Sequence, residues 1–391
     1  MSTKILFVAY ARHKGVRQIG VFKRCLRLMD RLPDHYDLYL LNFGSIPEDP
    51  LVDRLRGRVS MISDPVGSSP DDHIARIRAI APEVIVFGET PLAGKLLHSY
   101  RAAVACRIPI LCIENYYSDM MRDYISVSYR FIDRWLLIGL ESEGRRTVTF
   151  DNAVVVPPLL EIPHPVPEPR GVCLLGYDDE SFKTGIQLLE RLPATVPTTL
   201  VVSADRARWI ERHLPAERRG TVRCLGSPSD RQLYHAMAAA RVVICKNGFQ
   251  QMVESIYLGT PVVCRPQGGG VPEDLVADYL APWACYAPPT MGLDRPLEAL
   301  RRWLDRPPEN PWRRHWPDDG DLIQHAARQL ARQLESLRIE GPRPRRRRSF
   351  HRTTDRATRA IPGHRARNPW PPTRRATVAP PQTHPQRRNA S

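Results

Sequence analysis

The sequence predicts an α/β protein with two Rossmann-like, doubly wound domains, and three observations support this fold class. Short apolar runs rich in β-branched residues alternate with helical stretches along most of the chain, which is typical of parallel sheets covered on both faces. The 391 residues suffice for two domains, and a hydrophobic content of 42% supplies a core for each. A proline-dense stretch near the middle can be neither helix nor central strand, so it indicates a semi-rigid linker.

The chain therefore divides into a first domain at 1–157, a linker at 158–170, a second domain at 171–340 and a tail at 341–391. The first domain opens with a buried strand at 4–9, a polar loop punctuated by glycines, and a helix at about 21–32. Its further strands are predicted at 36–42, 59–62, 83–88, 108–114, 134–138 and 153–156, with helices at 71–80 and 92–105. The second domain has predicted strands at 171–175, 199–203, 221–225, 242–245 and 260–264, and helices that end near 192 or span 206–214, 230–240, 249–258 and 321–337.

One unit of the second domain, residues 241–266, has the order strand, polar turn, helix, strand and reads RVVICKNGFQQMVESIYLGTPVVCRP. The first-turn N–H groups of a helix that begins beyond a strand end favour an anion, and a diphosphate would fit there. Glu254 lies nearly two turns into this helix, where its carboxylate could accept both hydroxyls of a ribose. The pattern indicates a nucleotide diphosphate sugar; the alternative is an ordinary crossover helix with one solvated glutamate.

The run CKNGFQQMVE resembles the donor-binding signature of the GT-B glycosyltransferases, most of all that of the peptidoglycan N-acetylglucosaminyltransferases. That family has Cys-Arg-Ser-Gly, five residues, and then the ribose-binding glutamate, so Gly248 and Glu254 match in identity and spacing. Two polar residues that hold the donor sugar follow a strand-closing proline there, and both counterparts here are acidic, which suggests a different sugar. The resemblance implies the following donor-binding residues: Gly176, Leu225, Lys246, Asn247, Gly248, Phe249, Gln250, Glu254, Glu273 and Asp274.

His13 is the candidate catalytic base, because it lies in the loop beyond the first strand and a neutral imidazole can accept a proton near pH 7. In inverting GT-B enzymes the catalytic histidine lies in this loop. The relatives' Gly-His-x-x-Arg motif is altered here, since Val21 stands where that histidine would be. The alternative for His13 is a solvated loop histidine.

The resemblance also implies residues on the acceptor side. The segment 108–115 is similar to a strand of the family that ends in a Glu-Gln-Asn loop facing the acceptor, which makes Glu114 and Asn115 candidates. Glu89, after the preceding strand, has the same status. The alternative for all three is plain polarity at strand ends.

Two acidic segments bear on how the donor is held and on whether a metal is bound. The acids at 178–180 stand where relatives have a glycine- and serine-rich loop against the diphosphate, so either this loop turns outward or the donor is held differently. Asp319-Gly320-Asp321 has the form of a metal-binding DxD motif, but it precedes a helix, where acids are normal caps. We therefore expect no metal, and no cofactor beyond the nucleotide sugar as co-substrate.

The charge distribution argues against a nucleic-acid-binding protein, and the cysteine pattern argues against a disulfide framework or a zinc site. The net charge is +15, but residues 341–391 carry fourteen arginines and one aspartate, so the rest is only about +2 and a nucleic-acid partner is not expected. The eight cysteines are scattered along the sequence without any C-x-x-C pair, a pattern that indicates buried free thiols. No apolar stretch approaches the roughly 18 residues of a membrane span, and signal-peptide features are lacking, so we expect a cytoplasmic protein. The arginine- and proline-rich tail at 341–391 is expected to be disordered, either as a solvated, dispensable extension or as a segment that adds weak contact with an anionic membrane.

The sequence thus predicts an inverting, metal-independent glycosyltransferase that moves a sugar from a UDP- or dTDP-sugar to a hydroxyl or amine. The acceptor is expected to be a small molecule or lipid-linked, in specialised-metabolite or cell-envelope biosynthesis. One alternative is a sugar-nucleotide hydrolase or epimerase of the same fold. The other is a catalytically silent homologue that binds a partner protein.

Overall fold

The structure is a computed structural model that describes most of the chain up to residue 342. The described residues are 2–10, 12–13, 16–17, 20–64, 69–91, 94–115, 132–140, 152–176, 179–246, 249–265, 280, 283–286, 292–311, 313, 316–317 and 319–342. Met1–Arg345 form one compact unit. The second unit, Arg346–Ser391, lies outside the described residues, as does most of the predicted tail.

The first half contains a seven-stranded sheet in which every neighbouring pair is parallel, with the order β5-β4-β1-β6-β7-β8-β9. The strands are β1 (Thr3–Tyr10), β4 (Tyr36–Phe43), β5 (Val59–Asp64), β6 (Val84–Phe87), β7 (Ile110–Asn115), β8 (Arg134–Ile138) and β9 (Ala153–Val156). Strands β2 (Arg12–His13) and β3 (Val16–Arg17) form a small antiparallel hairpin in the loop after β1, which the sequence prediction did not contain.

Helices connect these strands. They are α1 (Gly20–Arg31), α2 (Pro50–Leu55), α3 (Pro70–Ile80) and α4 (Gly94–Ala105). Helix α3 begins at a capping box in which Ser69 and Asp72 satisfy each other's backbone N–H groups. Helix α1 packs closely on β6 because Gly88, just after that strand, has no side chain: a Cβ there would lie 2.7 Å from Cys25 Sγ.

The second half contains a six-stranded parallel sheet with the order β12-β11-β10-β13-β14-β15. Its strands are β10 (Val172–Leu175), β11 (Thr198–Val202), β12 (Val222–Gly226), β13 (Val242–Lys246), β14 (Val262–Arg265) and β15 (Ala284–Tyr286). Its helices are α5 (Asp179–Glu190), α6 (Ala204–His213), α7 (Asp230–Ala238), α8 (Phe249–Tyr257) and α9 (Asp294–Asp305). The predicted α/β class with two doubly wound sheets is confirmed; β15 was missed.

The last helix, α10 (Leu322–Glu340), packs on the first half. Its apolar residues Ile323, Ala326 and Leu330 belong to the same buried cluster as the strands of the first sheet. The Tyr36 hydroxyl donates to Glu335 on this helix at 3.0 Å. The end of the stretch that the sequence assigns to the second domain therefore returns to the first sheet.

Candidate active site

Each sheet has a point where the chain order reverses, and ligands of doubly wound folds bind outside the carboxyl ends of the strands at such points. In the first sheet the reversal lies between β1 and β6, so Tyr10 and Glu89 mark it. In the second sheet it lies between β10 and β13, which end near Gly176 and at Lys246. These four positions bracket the candidate site.

Helix α8 follows β13 directly and forms for the reasons that its sequence implies. Met252, Val253 and Ile256 are fully buried on one face. Gly259 ends the helix with a φ of +90°, and a Cβ there would lie 2.8 Å from Asn310 Nδ2. The N-terminus of α8 therefore lies at the carboxyl edge of the second sheet, as the anion-site prediction requires.

Glu254 on α8 is 2% exposed. Its Oε1 accepts hydrogen bonds from Arg27 Nη1 and from Gln250 Nε2, both at 2.9 Å, and Tyr234 OH lies 3.4 Å away. The alternative of an ordinary helix supposed a solvated glutamate. Glu254 is instead buried, because a side chain of the first half covers it.

That side chain, Arg27 on α1, was missed by the sequence analysis. It is 5% exposed, and its Nε and Nη2 lie 3.0 and 2.9 Å from Asp230 Oδ2 at the start of α7. Its Nη1 also donates to the Leu159 carbonyl of the linker at 3.0 Å. One guanidinium therefore bonds to the linker and to two helices of the second half.

Burial and charge act in opposition on this network. Burial raises the pKa of the Glu254 carboxyl, and the Arg27 guanidinium opposes that shift. Burial alone would also raise the pKa of the Asp230 carboxyl, but Arg27 and then Lys23 hold it below its ordinary value. Burial acts to lower the pKa of Arg27, but Tyr234, Asp230 and Glu254 together hold it well above its ordinary value, so the guanidinium stays charged.

The acceptor-side candidates Glu114 and Asn115 are tied into the first sheet's carboxyl edge. Glu114 Oε2 accepts from the Thr90 backbone N–H at 3.0 Å and from its hydroxyl at 2.6 Å. Glu114 Oε1 accepts from the Asn115 backbone N–H at 2.9 Å. Arg24 Nη2 donates to Asn115 Oδ1 at 2.7 Å and Nη1 donates to the Gly88 carbonyl at 3.0 Å. The buried Glu114 carboxylate thus holds two strand ends together, whereas the half-buried Asn115 lines the space beside Gln250.

Glu89 differs from Glu114 in its surroundings. It is half-buried, and the Tyr10 hydroxyl donates to its Oε2. Burial, and after it the nearby Glu114 carboxylate, raise the pKa of the Glu89 carboxyl. A carboxylate of raised pKa at the reversal point of the sheet can accept a proton from a ligand.

The two halves meet beside these groups. A Cβ on Gly20, the first residue of α1, would lie 3.4 Å from Gln250 Oε1 on α8. Arg24, Asn115, Leu159, Gln250 and Val253 line a small space between the halves. The carboxyl edges of the two sheets are therefore adjacent at this space.

Several predicted positions have only partial or no description. His13 lies in β2, where its backbone pairs with Val16, and its side chain is outside the described part. Phe249 begins α8, again without a described side chain. Lys246 is half-buried at the end of β13. Four further donor-side candidates, namely Asn247, Gly248, Glu273 and Asp274, lie outside the described residues.

The end of β10 clarifies the acidic loop. The Gly176 carbonyl accepts from Arg206 Nη1 at 2.8 Å, and a Cβ on Gly176 would meet Phe182 at 2.7 Å. Arg206 also pairs with Asp179, whose carboxylate is 80% exposed. This one acid of the three points to Arg206 and solvent. Leu225, the predicted base-side residue, is half-buried in β12 opposite Val201.

Among the described residues no group of three or more His, Cys, Asp or Glu side chains is arranged to hold a metal ion. Asp321 instead caps α10, accepting from the Gln324 backbone N–H at 2.8 Å. None of the helices described here is both long and apolar enough to cross a membrane.

Comparison with solved structures agrees with this architecture. A MurG from Acinetobacter baumannii matches with 14% identity and a TM-score of 0.53, covering 84% of this chain and 99% of that one. The glycotransferase of kitacinnamycin matches with 17% identity and a TM-score of 0.54, covering 85% and 100%. A UDP-glucosyltransferase from Polygonum tinctorium matches with 10% identity and a TM-score of 0.51, covering 86% and 99%. No family model and no curated protein matches the sequence. The chain has the GT-B glycosyltransferase fold.

Proposed function

We propose that the protein is an inverting, metal-independent glycosyltransferase that uses a UDP- or dTDP-sugar and a hydroxyl or amine acceptor. The observation that carries the proposal is the position of Glu254. It lies on the helix that follows the reversal point of the second sheet, six residues after Gly248, and beside the first half. This placement suits a ribose bound across the crevice of a doubly wound fold.

The donor would lie with its diphosphate at the N-terminus of α8 and beside Lys246. Glu254 would accept from the ribose, and the backbone at Leu225 would contact the base. The sugar would extend toward Glu273 and Asp274. In this arrangement the helix terminus and Lys246 stabilise the negative charge that develops on the leaving nucleotide diphosphate.

The acceptor would approach from the first half, past Asn115 and Glu89. Its oxygen or nitrogen attacks the anomeric carbon and forms the new glycosidic bond while the bond from that carbon to the phosphate oxygen breaks. The electron pair of the broken bond leaves with the nucleotide diphosphate, and His13 takes the acceptor's proton. Glu89, with its raised pKa, is the group that would replace His13 if the histidine does not serve.

The compared structures support a small acceptor. The Polygonum enzyme is described as glucosylating indoxyl and was solved with 3,4-dichloroaniline, and another is described as the glycotransferase of kitacinnamycin. For this chain we propose a small-molecule or lipid-linked acceptor in specialised-metabolite or cell-envelope biosynthesis. We propose a cytoplasmic location, with the basic tail able to contact an anionic membrane surface.

Calorimetric titration of the full chain with UDP and with dTDP tests the donor site. Glu254→Ala removes the charge-assisted hydrogen bond that a ribose hydroxyl would donate to this carboxylate and should weaken binding by roughly 1.5–3 kcal/mol. An exposed glutamate, changed in Glu83→Ala, is the matched control and should leave the affinity unchanged. Equal affinity of wild type and Glu254→Ala would remove the main support for the donor site. Release of free sugar without any acceptor would identify a hydrolase.

Two observations favour a second candidate, a silent homologue that binds a partner protein. The Glu254 carboxylate is already paired with Arg27, and Val21 replaces the histidine of the relatives' motif. In that case wild type would bind neither nucleotide, and the Arg27–Glu254 pair would serve only to join the halves.

A further inference from the structure

Arg27 belongs to the first half, yet its guanidinium lies among groups of the second half. It bonds to Asp230 on α7 and to Glu254 on α8, and its Cζ lies 5.5 Å from the centroid of the Tyr234 ring. The Nη1 atom that donates to Glu254 also donates to the Leu159 carbonyl of the linker. A guanidinium held at several atoms is a rigid, preorganised donor.

The two oxygens of Glu254 are used unequally. Arg27, Gln250 and Tyr234 all approach Oε1, whereas within the described parts of the chain no residue donates to Oε2. The rotation of the carboxylate is thus set by bonds at one oxygen. Oε2 is the atom that remains for a ligand hydroxyl.

The same contacts decide the charge of Glu254. The ionisable groups that face it are Arg27 from α1 together with Asp230 and Tyr234 from α7. Burial and Asp230 favour the neutral acid, and Arg27 is the one cation among these neighbours. A protonated carboxyl would be a poorer acceptor for ribose, because charge-assisted hydrogen bonds are the stronger ones.

We propose that Arg27 is a positioning residue for the nucleotide: it keeps Glu254 ionised and turned so that Oε2 accepts a ribose hydroxyl. The inference rests on the proposed function, because it assumes that Glu254 meets a ribose. It adds that the nucleotide site of the second half depends on a residue of the first half. Nucleotide affinity is then linked to how the halves are joined.

Arg31 offers a matched control on the same helix, one turn further on. Its Nε donates to Asp321 at 3.0 Å and its Nη2 to Glu161 at 2.5 Å, at the linker and the cap of α10. It has no bond to Glu254. Arg31→Met therefore removes a comparable arginine while leaving the ribose-side carboxylate in place.

The test is calorimetric titration of UDP and dTDP into the full-length wild type and the variants Arg27→Met, Arg27→Gln, Arg27→Lys and Arg31→Met between pH 5 and 9. We expect the two neutral replacements to weaken binding at pH 7 by about 10- to 100-fold, the range for a lost interaction with a charged group. Their loss of affinity in acid should begin at higher pH than in wild type, because burial raises the pKa of Glu254 and, without Arg27, only the Gln250 hydrogen bond among the groups named above opposes that shift. Arg27→Lys, which keeps the charge, should restore the wild-type pH midpoint, and Arg31→Met should bind as wild type does.

The outcomes separate this inference from the proposed function. If Glu254→Ala loses binding but Arg27→Met and Arg27→Gln bind with wild-type affinity and pH dependence, only the role of Arg27 is refuted. Tighter binding by the neutral variants would also overturn it, since Arg27 would then compete with the ribose. No binding by wild type refutes both. Thermal unfolding identifies a variant that fails to fold, and Arg27→Gln, which keeps a donor, carries the test if Arg27→Met does not fold.

Discussion

The buried pair of Arg27 and Glu254 should be energetically coupled, and a double-mutant cycle measures the coupling. Glu254→Met leaves Arg27 with Asp230, so we expect a loss of about 3 kcal/mol, the lower end for breaking a buried pair. Arg27→Met leaves two carboxylates without this partner, and should cost about 5 kcal/mol. With both changed, the buried charge of Glu254 is gone and methionine fills similar space. The double variant should then lose only about 1–3 kcal/mol, for the hydrogen bonds from Arg27 to Asp230 and to the Leu159 carbonyl, which keeps the Tyr234 hydroxyl as a donor at 3.2 Å.

Urea unfolding at pH 7 gives these values from the shift in midpoint at constant m. The expected coupling energy is about 5–7 kcal/mol, because the single losses together reach about 8 kcal/mol and the double variant loses only about 1–3 kcal/mol. The loss in Arg27→Met should also shrink as the pH falls, because a carboxyl whose pKa is raised by burial binds its proton in the folded state and the unpaired charge disappears. Arg54→Met, which removes the pair between the exposed Arg54 and Asp30, should cost under about 1 kcal/mol, because Asp30 keeps Arg31 as a partner. Additive single losses would mean that the Arg27–Glu254 pair does not form in solution.

Three further expectations concern catalysis, the core and the tail. His13→Ala should lower turnover by about 10²–10⁴-fold with donor affinity near wild type, measured by steady-state kinetics; near-normal turnover would give the role of base to another group. Leu330→Ala, in the fully buried face of α10, should cost about 2–5 kcal/mol in urea unfolding, whereas Ile339→Ala, 77% exposed, should be within about 0.5 kcal/mol of wild type; equal losses would contradict the packing of α10 on the first sheet. Removing residues 341–391 should leave turnover on a soluble acceptor unchanged and abolish low-salt binding to anionic vesicles in a sedimentation assay, while unfolding of the truncated chain would show that the boundary is wrong.

The sheets were predictable because their strands are buried on both faces. Runs such as 84–87 and 242–245 are continuously apolar, so local composition alone identifies them, and the helical stretches between the runs are the crossovers that parallel strands need. β15 was missed because three residues, Ala284–Tyr286, carry too little pattern to separate a strand from a loop. The packing of α10 on the first sheet could be expected only from the resemblance, because an amphipathic face does not indicate which sheet it packs against.

The site was predictable where it depends on spacing along the chain and not where it depends on contacts between halves. The placement of Glu254 on the helix after the β13 turn follows from local sequence. Its burial does not, because Arg27 lies 227 residues away in the chain. A signal was present in α1: arginines at 24, 27 and 31 follow the helical i, i+3, i+7 pattern on a helix whose remaining residues are mostly apolar. Such a row is usually a solvated face, so its burial needed the structure.

The three arginines of α1 bond to three different parts of the molecule, and this difference bears on ligand binding. Arg24 bonds to strand ends of the first sheet, and Arg31 bonds to the linker and the cap of α10. Arg27 alone of the three bonds to helices α7 and α8 of the second half. A change in the angle between the halves would leave the bonds of Arg24 intact and would have to alter those of Arg27. Because Arg27 holds the carboxylate proposed for the ribose, such a change in angle would alter the affinity for the nucleotide. Nucleotide binding would in turn favour the arrangement in which Arg27 bonds to Glu254.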